Sequence, residues 1–300
     1  MAYGDQPAII CDMIDWARTI GLEVVSAGKG TRYQPEYRYS TPATVWDNFG
    51  FSEEQVATGN YNAQMYNSFL DSTKSAIEMC AVCNASGLIP QQVGLQFPPV
   101  GPKDLPRVLI PKEAGGILEH SGTVEIVASE QRDGRSIEDH LRWGVYIVFK
   151  ATTPLLRRFL EMHDFLRDPT SEFGAYYRPF HLIGLEVGMS VASAVLRGEA
   201  TGSADGFIAD VASMTKKDLK PGDVLDGEGG YTVFGRLASA RESLTNRYLP
   251  MGLSSDAKLI KAVAKDTYVT YDDVELDETS LAFKIRKTME ADYQEDGFSA

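Results

Sequence analysis

Residues 59–101 constrain the fold more than any other stretch. They run GNYNAQMYNSFLDSTKSAIEMCAVCNASGLIPQQVGLQFPPVG and carry three charges, Asp71, Lys74 and Glu78. The whole chain is 24% charged, so a segment of this length should carry about ten. Read as one helix, spacings of three and four place the three charges on one face, with Asn67 four residues before Asp71. Phe69, Leu70, Ile77, Cys80, Ala81 and Val82 fall on the other. A helix apolar on most sides belongs inside a domain, and its charged stripe then faces a partner, a cavity or a ligand. The alternative is a solvent face whose charges pair along the helix.

The chain has 300 residues, 43% of them hydrophobic and 10% aromatic, which suits a globular protein of about two domains. A net charge of −13 argues against general binding to nucleic acid or anionic membranes, while leaving room for a local basic pocket. The apolar run 182–196 contains Glu186 and is too short to span a bilayer. The opening MAYGDQPAII has no basic n-region or cleavage site, so no signal peptide is expected. Three cysteines, Cys11, Cys80 and Cys83, are an odd number and point to a reducing compartment, the cytoplasm. Cys80 and Cys83 form a C-x-x-C without a second pair, so they read as small residues of a buried helix.

Taken in order, 7–20 reads as a helix with Ile9, Ile10, Met13, Ile14, Ala17 and Ile20 on one face and Gly21 as its stop. LEVVS (22–26) reads as a buried strand and AGKGT (27–31) as a glycine-rich loop. Ser52 and Gln55 form a capping-box pattern. Segments 123–129 and 143–151 alternate like strands, and 154–165 reads as a helix. A second uncharged helix is expected over 179–196, with Gly184, Gly188 and Ala192 as a small-residue ridge. His181 and Glu186 are its titratable residues, and Arg178 precedes it. A core histidine is the plainer reading of His181, although RPFH at a helix N-terminus favours anions. Beyond GEATGSADG, TKKDLKPGDVLDGE (215–228) and AKDTYVTYDDVELDE (264–278) echo each other, which suggests a small β domain of two related halves.

GDQPAII, DWARTIGLEVVSAGKGTRY, NSFLDSTKSAIEM, RWGVYIVF, YYRPFHLIGLE and DLKPGDVLDGEGGYTV together resemble one family over nearly the full chain. It is the homoserine-dehydrogenase-like NAD(P)-dependent oxidoreductases with a C-terminal SAF (antifreeze-like, β-clip) domain. One branch of it is similar in activity to 1-deoxy-D-xylulose 5-phosphate reductoisomerase, the DXR-like enzymes of isoprenoid precursor synthesis. Family members are expected to begin with a Rossmann domain carrying G-x-G-x-x-G after its first strand, and no such motif occurs here. Met1 therefore resembles an internal methionine, and the chain is expected to hold the substrate half of an enzyme without its cofactor half, inactive by itself.

The resemblance implies hydride exchange between a nicotinamide, NADP or NAD, and a small hydroxy-carbonyl compound that is phosphorylated in the reductoisomerase branch. Such a site needs a cation at the developing oxyanion, a proton relay and donors for phosphate. On that basis Lys74, Asp71, Glu78 and His181 are the candidate catalytic residues, with Lys74 as the cation. Lys29, Asn67, Ser68 and Arg178 are candidates for substrate binding. Gly28, Lys29 and Gly30 are candidates for cofactor contact, the cofactor being held mainly by the missing domain. Lys29 as a surface residue and Lys74 as a structural ion pair are the plain alternatives. A divalent ion held by Asp71 and Glu78 is a third, but no histidine completes a ligand spacing, and no metal is expected. The expected fold is α/β (α+β). Residues 1–32 are a remnant of the Rossmann domain, 33–204 a central catalytic and dimerisation domain with a mixed or antiparallel sheet, 205–278 a small β domain of SAF type and 279–300 a tail. A small-molecule substrate and a homodimer are the expected partners, with neither nucleic acid nor membrane. Other readings are a homoserine-dehydrogenase-like enzyme of different substrate, or a non-catalytic ligand-binding protein.

Overall fold

The computed structural model describes residues 1–295. The protein is mixed α/β and divides into two compact units, 1–34 with 78–208 and 35–77 with 209–300. No helix among the described residues is long and apolar enough to cross a membrane.

The first unit begins with a helix, Gln6–Thr19. Asp5 caps it by accepting from the Gln6 N–H at 2.9 Å, Pro7 sits in its first turn, and Gly21 follows at φ +87°, the conformation that ends helices. Ile9, Ile10, Met13, Ile14 and Ala17 of the predicted apolar face are buried, whereas Ile20 lies past the helix end and is exposed. The chain turns directly into β1 (Leu22–Thr31), which is longer than predicted. The expected loop 27–31 is strand, held between β2 (Thr123–Ala128, parallel) and β3 (Val145–Ala151, antiparallel). Gly28 and Gly30 fit there because their neighbours come too close for a side chain. A Cβ at Gly28 would overlap the Glu125 carbonyl, and one at Gly30 the Leu141 carbonyl. Two further strands, β4 (Leu166–Arg167) and β5 (Phe173–Arg178), complete a mixed sheet of order β2-β1-β3-β5-β4. The expected boundary at residue 32 thus falls beside a strand fully integrated into this sheet.

One face of the sheet carries Val25, Val127, Tyr146, Val148 and Phe173 against Leu105 and Leu109. On the other, Trp16 of the first helix meets Phe149, Phe165 and Tyr176 at ring separations of 5.3–6.4 Å. Coverage on both faces explains why residues of both orientations are buried along β1 and β3.

The second uncharged helix is shorter than expected. Regular helix covers Val187–Ala192, followed by a π-turn, Ser193–Arg197. Residues 179–186 are non-helical apart from turns, because Gly184 stands at φ +78° and the Glu186 carboxylate accepts from Arg178 and the Leu182 N–H. The predicted Gly184–Gly188–Ala192 ridge therefore does not form, and a Cβ at Gly184 or Gly188 would meet no atom within 4 Å.

In the second unit, three short helices, Val45–Phe49, Glu53–Gly59 and Ala63–Leu70, follow a 3-10 turn. The Ser52–Gln55 capping box forms with both hydrogen bonds, 2.8 and 3.2 Å. Tyr37, Val45 and Leu70 make the local core, with Trp46, Phe49 and Tyr66 packed against it. The remainder is built on β6 (Ala209–Thr215) paired antiparallel with β7 (Val233–Ser239), and β8 (Lys258–Leu259) with β9 (Val274–Glu275). The echoing segments touch each other. The Thr215 N–H donates to the Thr267 carbonyl at 3.0 Å and the Asp266 N–H to the Thr215 carbonyl at 3.1 Å, and the Met214–Tyr268 and Leu219–Val263 bridges flank them. The predicted tail is a helix, Leu281–Glu295, and its last residues, 296–300, lie outside the described residues.

The predicted central helix is two helices. Ala63–Leu70 ends at Asp71, Ser72 takes φ +76°, and a new helix runs Thr73–Ser86. Asp71 causes the break, because its Oδ1 accepts from the Thr73 N–H at 2.9 Å and so satisfies a donor of the new helix start. Asp71 is not on the helix of Lys74 and Glu78, and the single charged stripe is corrected accordingly.

Candidate active site

In the first unit, three elements converge on one ammonium group. Near the C-terminal end of β1, Lys29 is buried and paired in register with Ile126 and Val145. Its Nζ donates to a carboxylate oxygen of Glu78, from the Thr73–Ser86 helix, and to Gln6 Oε1 at 2.8 Å. Gln6, at the start of the first helix, donates in turn to the Gly144 carbonyl at 3.3 Å. All three side chains are buried. The pair can exchange a proton and place a hydrogen-bond donor in a low-dielectric setting, where a developing oxyanion is stabilised more than in water.

Arg178, at the end of β5, is bonded to Glu186 at 2.5 Å and lies over the Phe180 ring, 4.7 Å from its centroid. Burial pushes the Glu186 carboxyl up, but the Arg178 guanidinium and the Leu182 N–H outweigh it and hold the group below its ordinary range. Gly4 packs against this turn at φ +96°, and a Cβ there would lie 2.8 Å from the Leu182 carbonyl oxygen. His181 is half-buried, with Nδ1 2.7 Å from the Trp143 carbonyl oxygen. A carbonyl only accepts, so Nδ1 carries the hydrogen and Nε2 is left for proton exchange.

The second unit holds Asn67, Ser68, Asp71 and Lys74. Asn67 is buried, donating to the Ser40 and Gly229 carbonyls at 3.0 and 2.8 Å and accepting from the Ser40 hydroxyl at 2.5 Å. Ser68 donates to the Met65 carbonyl at 2.8 Å. Asp71 is fully buried and paired with Lys216 at 2.8 Å. Burial pushes its carboxyl above the ordinary range, opposed by Lys216 and the Thr73 N–H. Lys216 also donates to the Ser40 and Gly230 carbonyls at 2.8 and 2.7 Å. Three acceptors match the three N–H bonds of an ammonium, which is the pattern of a structural lysine. Lys74 is half-buried, with its Nζ 5.6 Å from the centre of the Phe69 ring.

The structure therefore joins Lys29 to Glu78, Asp71 to Lys216 and Arg178 to Glu186. It does not place Asp71 and Lys74 on one helix. Sequence reasoning missed Gln6 and Lys216. The sequence signal available for Gln6 is a lone amide directly before Pro7 at the start of an apolar helix. Nothing separates Lys216 from Lys217 in TKKD. No group of three His, Cys, Asp or Glu among the described residues could hold a metal ion. Cys11, Cys80 and Cys83 are thiols, and burial pushes Cys11 up to about 11 and Cys83 well above its ordinary value.

Phosphate cradles in dinucleotide sites need glycine N–H groups exposed in a turn before a helix. Gly28 and Gly30 instead lie inside β1 with their free space filled by neighbouring carbonyls, and the Gly30 N–H donates to the Gly144 carbonyl at 3.1 Å. These glycines do not fit a pyrophosphate-binding turn.

Fold and site together define a mixed α/β protein with a buried lysine–carboxylate pair beside its central strand. Residues 4–187, more than half of the chain, match the family described as oxidoreductase DRL, catalytic domain. The chain belongs to that family. The match spans β1 to β5 and ends before Lys216. No curated protein matches the chain.

Proposed function

We propose that this chain is the substrate-side part of an oxidoreductase acting on a small hydroxy-carbonyl compound, with NADP or NAD as redox partner. The observation that carries the reading is the buried Lys29–Glu78 pair within a catalytic domain of an oxidoreductase family. When a carbonyl and an alcohol interconvert, charge develops on oxygen and a proton must be supplied or removed there. Lys29 Nζ donates to that oxygen, Glu78 holds or returns the proton, and Gln6 fixes the ammonium. Arg178 and His181 Nε2 are the next candidates, for an anionic substituent and for proton exchange with solvent. Gly28 and Gly30 offer no pyrophosphate cradle, so the dinucleotide contact is not assigned to them. A substrate of the 1-deoxy-D-xylulose 5-phosphate type, resting on the sequence resemblance, and a cytoplasmic location, resting on the cysteine count, belong to the same reading.

A homodimer is also part of this reading. The Val187–Ala192 helix buries none of its residues, and Leu185, Val195 and Leu196 are 82%, 76% and 81% exposed. Monomers seldom leave so much contiguous apolar surface in water.

The test is oxidation of NADPH and NADH in the presence of small hydroxy-carbonyl compounds, comparing wild type with Glu78→Gln. Loss of a proton-transfer group should slow turnover by about 10²–10⁴-fold. Turnover unchanged in Glu78→Gln would refute the assignment.

A further inference from the structure

A second polar site lies in the first unit at the outer edge of the sheet. There a cleft of about 610 Å³ opens beside β4, within the range of small-molecule sites. It stands three strands from β1, about 14 Å across the sheet, so it is distinct from the Lys29 pair. Its lining brings together three cations from separate elements. Lys103 comes from a 3-10 turn, Arg107 from the helix Leu105–Val108 and Arg167 from β4.

These cations are little used by the protein itself. Among the described residues no carboxylate lies within ion-pair distance of Arg107, although the chain carries 42 acidic residues against 29 basic ones. Arg167 donates to the Phe165 carbonyl at 3.3 Å. Lys103 meets Asp139 at 3.3 Å in an exposed pair, which is worth little. Of the acids in the lining, Asp168 is turned to structural use. It accepts from the Thr170 and Phe173 N–H groups at 2.9 and 2.8 Å and from the Thr170 hydroxyl. Glu161 is exposed. Phe165 and Pro169 supply an apolar wall.

We propose that this cleft binds a phosphate-bearing small molecule, with Arg107 and Arg167 as its principal ligands and Lys103 as a third charge. In a protein of net charge −13, guanidinium groups left without carboxylates in a concave site fit the planar, multi-oxygen geometry of phosphate.

The probe is inorganic pyrophosphate, titrated calorimetrically into the 300-residue chain at fixed ionic strength, with Arg107→Glu, Arg167→Glu and Lys258→Glu beside wild type. Saturable binding is expected, weakened about tenfold or more by either arginine reversal and unchanged in Lys258→Glu, the reversal of an exposed cation outside the cleft. Arg107 is exposed, so its reversal should leave the fold intact, as circular dichroism would verify. Absence of saturable binding by wild type, or a change of less than about twofold in Arg107→Glu, overturns the proposal. So does binding weakened as much in Lys258→Glu as in the arginine reversals.

Discussion

Lys29 and Glu78, 49 residues apart in sequence, form a buried ion pair in the first unit. Taking two charges out of water is costly, and removing one partner leaves the other unpaired in a low dielectric. Lys29→Met or Glu78→Leu alone should therefore destabilise the protein by about 3–5 kcal/mol. The double variant Lys29→Met/Glu78→Leu should recover most of that loss. Urea unfolding of the three variants checks this, and additive losses would contradict the pair.

A similar argument ranks the lysines of the second unit. Lys216 neutralises a fully buried Asp71 and saturates two carbonyls, whereas Lys74 is half-buried. Lys216→Ala should cost about 3–5 kcal/mol and Lys74→Ala about 1 kcal/mol or less. Thermal melts of both variants distinguish them, and equal losses would count against a structural Lys216.

Glu125 gives a pH signature. It is fully buried in β2, and burial pushes its carboxyl up to about 7 despite hydrogen bonds from Gln91 and the N–H groups of Gln96, Phe97 and Ile126. A folded value above the unfolded one means that its contribution is fully present below about 4.5 and is lost as pH rises through about 7. The difference amounts to at most about 3 kcal/mol. Glu125→Gln cannot ionise, so relative to wild type it should fare better at pH 8 than at pH 5. Denaturant midpoints at the two pH values test this, and a pH-independent difference would contradict it.

The apolar face of residues 185–196 makes an oligomer prediction. Light scattering after gel filtration should find wild type as a dimer, and Leu185→Glu or Leu196→Glu should shift it toward monomer. A wild-type chain that stays monomeric at high concentration would remove the homodimer from the account.

Local patterns in the sequence were readable where local physics decides. The Gln6–Thr19 helix follows from its apolar spacing and Gly21, and the Ser52–Gln55 box from capping chemistry. The strands Thr123–Ala128 and Val145–Ala151 follow from alternation and β-branched content. Where the reading failed, distant neighbours decided. Gly28 and Gly30 look like a loop until the Glu125 and Leu141 carbonyls are placed against them. Apolar spacing ran unbroken across Asp71, which caps a new helix and needs Lys216, 145 residues away. In the site, Lys29 and Glu78 were each legible as candidates, but their pairing was not, since nothing local records it.

The most direct measurement is calorimetric binding of a panel of small hydroxy-carbonyl compounds, phosphorylated and unphosphorylated, to wild type and to Lys29→Met/Glu78→Leu. Saturable binding of at least one compound by wild type is expected, weakened about tenfold or more in the folded double variant. Equal binding by both proteins, or by neither, would contradict a substrate site built on Lys29 and Glu78.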